Sequence, residues 1–286
     1  MEERNERGET LKEFLARYDE TKYRRPSNTV DMILLTVLKG KLKVLLVKRK
    51  DHPFIHDWAM PGGFVNFDED LDTAMKRELE EETNLFDSTY FRQLYTFGNA
   101  DRDPRTRVIT TVYLSMTPAE NIKMTSAGDD AMDTGWFTIQ KITTTSDGYE
   151  RKSVLMLDEE EKGIHLRYEI YDTACDNYVQ TRSKLLESSN AKLAADHIKA
   201  INMAIDVVRN RAASTGIMFN LLPKECTLRE IQEVYEAIVN HPVDTGNFRR
   251  DIKKMLVATG STTIVNGRKV ATYSFNPLLP FVKETL

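Results

Sequence analysis

Residues 63–85 read GFVNFDEDLDTAMKRELEEETNL, and the spacing of charged and apolar residues in this segment indicates an unusual helix. On an α-helix, which turns about 100° per residue, four side chains lie within about 60° of one another: Leu71, Met75, Glu78 and Glu82. The apolar stripe therefore continues into carboxylates, which a surface helix would place on its opposite face. Because like charges four residues apart destabilise a helix, the pattern favours a bound cation, and oxygen ligands suit Mg²⁺ or Mn²⁺.

The alternative for three glutamates taken alone is a solvated acidic helix. The whole segment argues against it, because six residues match the Nudix box G-x5-E-x7-R-E-U-x-E-E-x-G-U: Gly63, Glu69, Arg77, Glu78, Glu81 and Glu82. Asn84 replaces the final glycine, and asparagine tolerates the left-handed backbone that often ends a helix. The chain thus resembles the Nudix family, which implies an α+β fold in which an α/β/α sandwich surrounds a mixed sheet.

The resemblance also implies roles for the residues of the box. The metal ligands would be the Gly63 carbonyl, Glu78, Glu81 and Glu82. Glu69 and Arg77 would pair and support the loop before the helix. The metal would polarise a diphosphate and activate a water molecule for attack on phosphorus. A later loop often supplies a general base in this family, and Asp129 and Asp130 are the candidates, although this acidic loop could equally be a plain turn.

The segment RDPRTRV at residues 102–108 suggests what the protein binds. Arg102, Arg105 and Arg107 would repel one another in a turn unless they bind an anion, and arginine binds phosphate with two hydrogen bonds. The alternative is a solvated basic loop. The segment resembles the branch of the family that handles ADP-ribose, so we expect ADP-ribose or a related nucleoside diphosphate. Phe54 and Trp58 precede the box and would either stack on the base or lie in the core.

The composition excludes several classes of protein. Forty Lys and Arg against 44 Asp and Glu give a formal net charge of −4, which excludes a uniformly basic nucleic-acid coat but allows a local basic patch. The two cysteines form no disulfide framework, and the five histidines form no zinc motif. No apolar stretch approaches the roughly 18 residues that a membrane span needs, and the charged N-terminus lacks a signal peptide. We expect a cytoplasmic protein with no membrane contact.

Periodicity predicts the order of elements along the chain. We expect an N-terminal helical extension over residues 1–27, with its helix at 10–25. A Nudix domain would follow over residues 28–220 and would begin with a hairpin of strands at 30–38 and 42–47. It would include an extra segment near 145–190, whose structure the pattern does not reveal, and a connecting helix at 191–212. Residues 221–286 would form a separate domain.

This C-terminal region reads as a winged helix-turn-helix domain. Thr227 and Glu230 form a capping box before one helix, a second helix spans residues 245–257, and Asn266-Gly267 signals a two-residue hairpin turn. Residues 247–273 contain six Lys and Arg and one Asp. The second helix would enter a major groove while the hairpin reaches the DNA backbone, unless the basic face is merely solvated. The candidate DNA-binding residues are Asn247, Arg249, Arg250, Lys253, Lys254, Arg268 and Lys269.

Four segments extend the resemblance to a particular branch of the family. They are KEFLARYDETKYRRP at 12–26, Ala195-Asp196-His197-Ile198, TLREIQEVYEAIV at 227–239 and NFRRDIKKM at 247–255, and they are similar to Nudix-related transcriptional regulators of NAD metabolism. That group implies a homodimer, double-stranded operator DNA as a partner and a response to ADP-ribose. Two alternatives stay open. One is a plain Nudix pyrophosphatase whose C-terminal module only dimerises, and the other is a regulator of the same architecture with a sugar-type effector.

Overall fold

A computed structural model of the protein describes residues 2–83, 85, 90–122 and 131–278. The α-helices are α1 (Leu11–Arg17), α2 (Leu71–Thr83), α3 (His197–Ala212), α4 (Leu228–Val239) and α5 (Thr245–Ile252). The strands are β1 (Ser27–Leu38), β2 (Lys41–Arg49), β3 (Trp58–Ala59), β4 (Gly62–Phe64), β5 (Tyr90–Phe97), β6 (Val108–Met116), β7 (Ala131–Ser146), β8 (Glu150–Glu159), β9 (Ile164–Cys175), β10 (Tyr178–Leu185), β11 (Leu256–Val265) and β12 (Arg268–Phe275).

Ten of the described strands form one mixed sheet with helices on both faces. Its order is β10-β9-β8-β7-β2-β1-β6-β5, with β3 beside β2 and β4 beside β1, and only β1 and β6 among these strands run parallel. Successive side chains of a strand point to opposite faces. In β1, Met32 and Leu34 therefore pack in the core that includes α2, while Ile33 and Leu35 pack in the core that includes α3. The predicted α+β sandwich is confirmed.

The first hairpin forms where the pattern predicts it. Leu38 pairs with Lys41, so Lys39 and Gly40 form a two-residue turn with φ values of 51° and 70°. Positive φ at both positions gives the turn the twist that suits the flanking strands. The predicted helix at 10–25 is shorter than expected: α1 ends at Arg17, and a 3₁₀ turn follows at Glu20–Lys22.

The segment near 145–190, which the pattern left unassigned, widens the sheet. Strands β8, β9 and β10 form an antiparallel meander that continues from β7. Buried residues alternate along β8 and β9, and Leu155, Leu157, Leu166 and Ile170 are fully buried in the core that contains α3. The alternation of apolar and polar residues at 164–171 is the period of a half-buried strand.

The connecting helix begins later than predicted, at His197 rather than at residue 191. Residues before it run beside β3 instead, because the Trp58 amide donates to the Lys192 carbonyl at 3.0 Å and the Ala194 amide donates to the Trp58 carbonyl at 2.8 Å. Ala195 then turns the chain with a φ of 44°. A helix would have removed these two hydrogen bonds between the chain and the sheet.

The C-terminal domain is a winged helix domain, as predicted, although its second helix is shorter. Helix α5 ends at Ile252, Lys253–Met255 form a 3₁₀ turn, and β11 begins at Leu256. The hairpin turns at Asn266 and Gly267, which both have positive φ. None of the described helices is long and apolar enough to cross a membrane.

Helix α3 shares an apolar core with this domain and with the sheet, and one arginine of α3 forms hydrogen bonds to both. The Arg209 Nε donates to the Ile238 carbonyl of α4 at 2.9 Å, and its Nη1 donates to the Lys141 carbonyl of β7 at 3.2 Å. Close by, the buried Lys141 ammonium lies 2.6 Å from an Asp206 carboxylate oxygen of α3. The helix is thus fixed to both the sheet and the winged helix domain.

Candidate functional site

Strand pairing brings the first glycine of the box against its helix. Val30 of β1 pairs with Gly63 of β4, which lies beside α2. A Cβ atom on Gly63 would lie 2.1 Å from Oε1 of Glu78, so only glycine allows this carboxylate to approach the backbone so closely. The sequence spacing of the box therefore corresponds to a real contact between its two halves.

Arg77 connects the carboxylates on both sides of this contact. Its Nη2 lies 2.6 Å from Glu69 Oε1 and its Nε lies 3.1 Å from Glu69 Oε2, which makes a two-point ion pair. The hydrogen bonds from Arg77 lower the pKa of Glu69 to about 2. Nη2 also donates to the Phe64 carbonyl at 3.1 Å, so Arg77 holds the loop that precedes α2.

The three candidate metal-binding carboxylates differ in their surroundings. Glu78 is only 8% exposed, and burial raises its pKa although Arg77 Nη1 lies 2.8 Å from Oε1. Glu81 is exposed and lies 3.1 Å from the same Nη1. Glu82, the next residue of the helix, is partly buried. In the part of the chain that the structure describes, no three acidic, His or Cys side chains are grouped closely enough to hold a metal ion.

These carboxylates nevertheless face one cavity of about 800 Å³. Gly63 and the three glutamates line it. The loop after β2, including Phe54, and the residues at the start of α3, Ala194, Ala195 and His197, also line it. The volume lies in the range of small-molecule sites, about 300–1,000 Å³. The donor set consists of oxygens alone and includes a buried carboxylate, so its chemistry fits a divalent cation such as Mg²⁺.

The three candidate arginines do not form a cluster. Arg102 lines the cavity but is only 7% exposed, and it makes a two-point ion pair with Asp196 at 2.9 and 3.3 Å. Arg105 also lines the cavity and pairs with Asp103 at 2.8 Å. Arg107 is exposed and does not line the cavity. The charge of Arg102, the most buried of the three, is already balanced by the protein.

Of the two candidate aromatic residues, only Phe54 reaches the cavity. Trp58 is 1% exposed, and its ring packs edge-on against Phe137 with centroids 4.8 Å apart. The suggestion that Trp58 stacks on a base is therefore wrong, because its ring is buried in the core against Phe137. Phe54 packs against Val47 and Ala59 on one side and lines the cavity on the other.

Residues at the base of the cavity were missed by the sequence analysis. Asp31 of β1 accepts a hydrogen bond from Thr110 Oγ1 at 2.7 Å and lies 3.9 Å from the Arg102 guanidinium. His197 accepts a hydrogen bond from the Met60 amide at Nδ1, at 2.9 Å. Asp31 stands in no recognisable motif, and His197 lies in a segment at 195–198 whose resemblance implied no role in ligand binding. The fold brings both residues to the cavity. The candidate base residues Asp129 and Asp130, and Asn84 of the box, lie outside the described residues.

The seven candidate DNA-binding residues are all exposed on the winged helix domain. Asn247, Arg249 and Arg250 lie on α5, whose buried side carries Phe248 and Ile252. Lys253 and Lys254 lie on the 3₁₀ turn after it, and Arg268 and Lys269 begin β12 directly after the hairpin turn. The helix and the hairpin thus present basic side chains to solvent.

Two families of known domains match this chain. Residues 26–157 match the NUDIX domain, and residues 218–275 match the NrtR DNA-binding winged helix domain.

Three known proteins are similar to this chain over one or both of these domains. The ADPR responsive transcriptional repressor NtrR of Acinetobacter baylyi is 28% identical over 266 residues, which cover 92% of this chain and 87% of that protein. The ADP-ribose pyrophosphatase of Methanocaldococcus jannaschii is 34% identical over 143 residues, covering 49% of this chain and 80% of that protein. The crystal structure of Shewanella oneidensis NrtR complexed with a 27mer DNA has a TM-score of 0.58 and 26% identity, covering 87% of this chain and 93% of that one. With every charged residue of the box in place beside one cavity and a NUDIX domain match over residues 26–157, the chain belongs to the Nudix family.

Proposed function

We propose that this protein binds ADP-ribose in the cavity beside α2, hydrolyses it to AMP and ribose 5-phosphate, and represses transcription of genes of NAD metabolism by binding operator DNA. One observation carries the proposal: the box carboxylates line the same cavity as the first turn of α3, the helix that leads into the winged helix domain. The relatives support both halves, since one is an ADP-ribose responsive repressor and another an ADP-ribose pyrophosphatase.

The hydrolytic half of the proposal needs a divalent metal, and we propose Mg²⁺ or Mn²⁺. Its ligands would be the Gly63 carbonyl, Glu78, Glu81 and Glu82. When bound, such a cation polarises the diphosphate and lowers the pKa of a water molecule. The chain itself positions the carboxylates, because Gly63 leaves room for Glu78 and Arg77 is held in place by Glu69.

Other residues of the cavity would bind and orient the rest of the ligand. Arg105 is the arginine that we assign to the diphosphate, since its side chain is half exposed beside the box loop. Phe54 is the proposed stacking surface for the base. We keep Asp129 or Asp130 as the proposed general base. Arg102 is not assigned to the diphosphate in this proposal, because its guanidinium already lies beside the carboxylates of Asp31 and Asp196.

For the DNA-binding half, we propose that α5 enters the major groove and that the hairpin contacts the backbone. Phosphate contacts would supply much of the affinity, which would fall as salt rises. We also propose a homodimer, which would match the two-fold symmetry of a palindromic operator. The proposed domain limits are 28–220 for the Nudix domain and 221–286 for the winged helix domain, preceded by the extension at 1–27.

The first experiment measures release of AMP from ADP-ribose by the purified protein with Mg²⁺, followed by chromatography. We expect Glu82→Gln to lower the rate at least about a hundredfold, because it removes a proposed metal ligand. Glu80→Gln is the matched control, since Glu80 is exposed on the same helix and lies outside the box pattern. Full activity in Glu82→Gln would contradict the metal assignment, and no product from the wild type would remove the hydrolytic half of the proposal.

A further inference from the structure

We propose that His197, together with Asp31, binds a sugar hydroxyl of the nucleoside diphosphate ligand. The inference rests on the proposed function, because it names further residues that would contact the same ligand. His197 opens α3 and lines the cavity, yet the box does not include it and no step of the hydrolysis uses it.

The position of His197 is fixed by the chain on both sides of it. The preceding residues are held against β3 by hydrogen bonds between the backbones of Trp58 and Ala194, and the His197 amide donates to the Ala194 carbonyl at 3.2 Å. The side chain is 8% exposed. A ring with so little freedom loses little further entropy when it binds a ligand.

The hydrogen bond at Nδ1 determines which ring nitrogen carries the proton. The Met60 amide donates to Nδ1 at 2.9 Å, so Nδ1 is an acceptor and the proton of the neutral ring lies on Nε2. Burial lowers the pKa of His197, and this effect outweighs the opposite influence of Asp31 and Asp196. The ring therefore presents an uncharged N–H donor, and no described residue accepts a hydrogen bond from it.

The charges around His197 decide what kind of group it would bind. Two acidic side chains, Asp31 and Asp196, and two basic ones, Arg102 and Arg49, act on the ring. With these charges balanced, a phosphate would gain little net attraction here and only a neutral donor. A hydroxyl suits the place better, because it accepts a hydrogen bond from Nε2 and donates one to a carboxylate of Asp31.

Asp31 is available for such a bond. Its Oδ2 accepts the hydroxyl hydrogen of Thr110, whereas no described residue donates a hydrogen bond to its Oδ1. A Cβ atom on Gly62 would lie 2.9 Å from this Oδ1, so the absence of a side chain at Gly62 keeps the oxygen accessible from the cavity. Asp31 and His197 thus line the same cavity, next to the loop that carries the box.

Two substitutions separate binding of the ligand from support of the fold. In His197→Asn the amide oxygen replaces Nδ1 as acceptor for Met60, but the donor at the Nε2 position is lost. In His197→Gln the amide nitrogen replaces Nε2, and the Met60 amide loses its partner. We expect Asn to keep the Tm of the wild type and to weaken ADP-ribose binding roughly tenfold, whereas Gln lowers the Tm and keeps most of the affinity.

Calorimetry with ADP-ribose in EDTA, which prevents metal-dependent turnover, would measure these affinities, and thermal unfolding without ligand would give the Tm values. The reverse order of affinities, or unchanged affinity in both variants, would overturn the role of His197 while leaving the proposed function in place. If the wild type itself does not bind ADP-ribose, the proposed function falls and this inference falls with it.

Discussion

The contact between Gly63 and Glu78 shows how one residue can control the whole box. Because a Cβ atom at residue 63 would lie 2.1 Å from the Glu78 carboxylate, Gly63→Ala must displace a buried side chain or the loop. A displacement of about 1 Å at reacting groups can lower a rate roughly a hundredfold, and we expect a loss of that order in AMP release. Gly98→Ala is the control, since its nearest atoms would lie 3.9 Å away. Normal activity in Gly63→Ala would show that the carboxylate relaxes freely.

The candidate site was only partly predictable at the level of residues. The box could be predicted because its members lie close in sequence and its spacing is constrained by one loop and one helix. The ion pair of Arg102 and the core position of Trp58 could not be predicted, because their partners Asp196 and Phe137 lie 94 and 79 positions away. His197 lies 134 positions after Gly63, so its place beside the box depends on the fold and was not predicted.

Among the elements, α5 carries the most direct prediction about DNA. We expect the double substitution Arg249→Ala and Arg250→Ala to weaken operator binding and to reduce the slope of log affinity against log salt by about two, because two phosphate contacts are lost. Arg229→Ala is the control, since Arg229 is exposed on α4 of the same domain and pairs with Glu233. Titration of labelled operator at several salt concentrations would measure the slope, and an unchanged slope would remove α5 from the interface.

The predicted elements were correct where local sequence signals are strong. They were wrong where pairing with a segment far away in the sequence determines the structure. The first hairpin and the wing were predicted from two-residue turns, and α4 from its capping box, all of which act within a few residues. The predicted start of α3 was wrong because the segment before the helix pairs with β3. Leu193 of this segment bridges to Trp58, which lies 135 residues earlier in the chain. The meander at 145–190 could not be assigned because its strands are stabilised by pairing with one another rather than by a local sequence signal.

At the scale of the whole molecule, α3 connects the ligand cavity with the DNA-binding domain. Arg209 holds its far end to both Ile238 and Lys141. We expect Arg209→Met to reduce the effect of ADP-ribose on operator affinity while each ligand still binds, because the winged helix domain would no longer follow α3. Operator affinity measured with and without ADP-ribose gives this ratio. Lys199→Met on the same helix is the control, and an unchanged ratio in Arg209→Met would exclude this route.

Helix α3 lines the proposed ligand cavity and contacts the winged helix domain, which has a consequence for the cell as well as for the protein. Thermodynamic linkage requires that if ADP-ribose changes the affinity for the operator by some factor, the operator changes the affinity for ADP-ribose by the same factor. Protein molecules on DNA and protein molecules in solution would then respond to different concentrations of the metabolite. The few copies on operators would set the threshold for transcription, while the larger free population would set how fast the metabolite is removed.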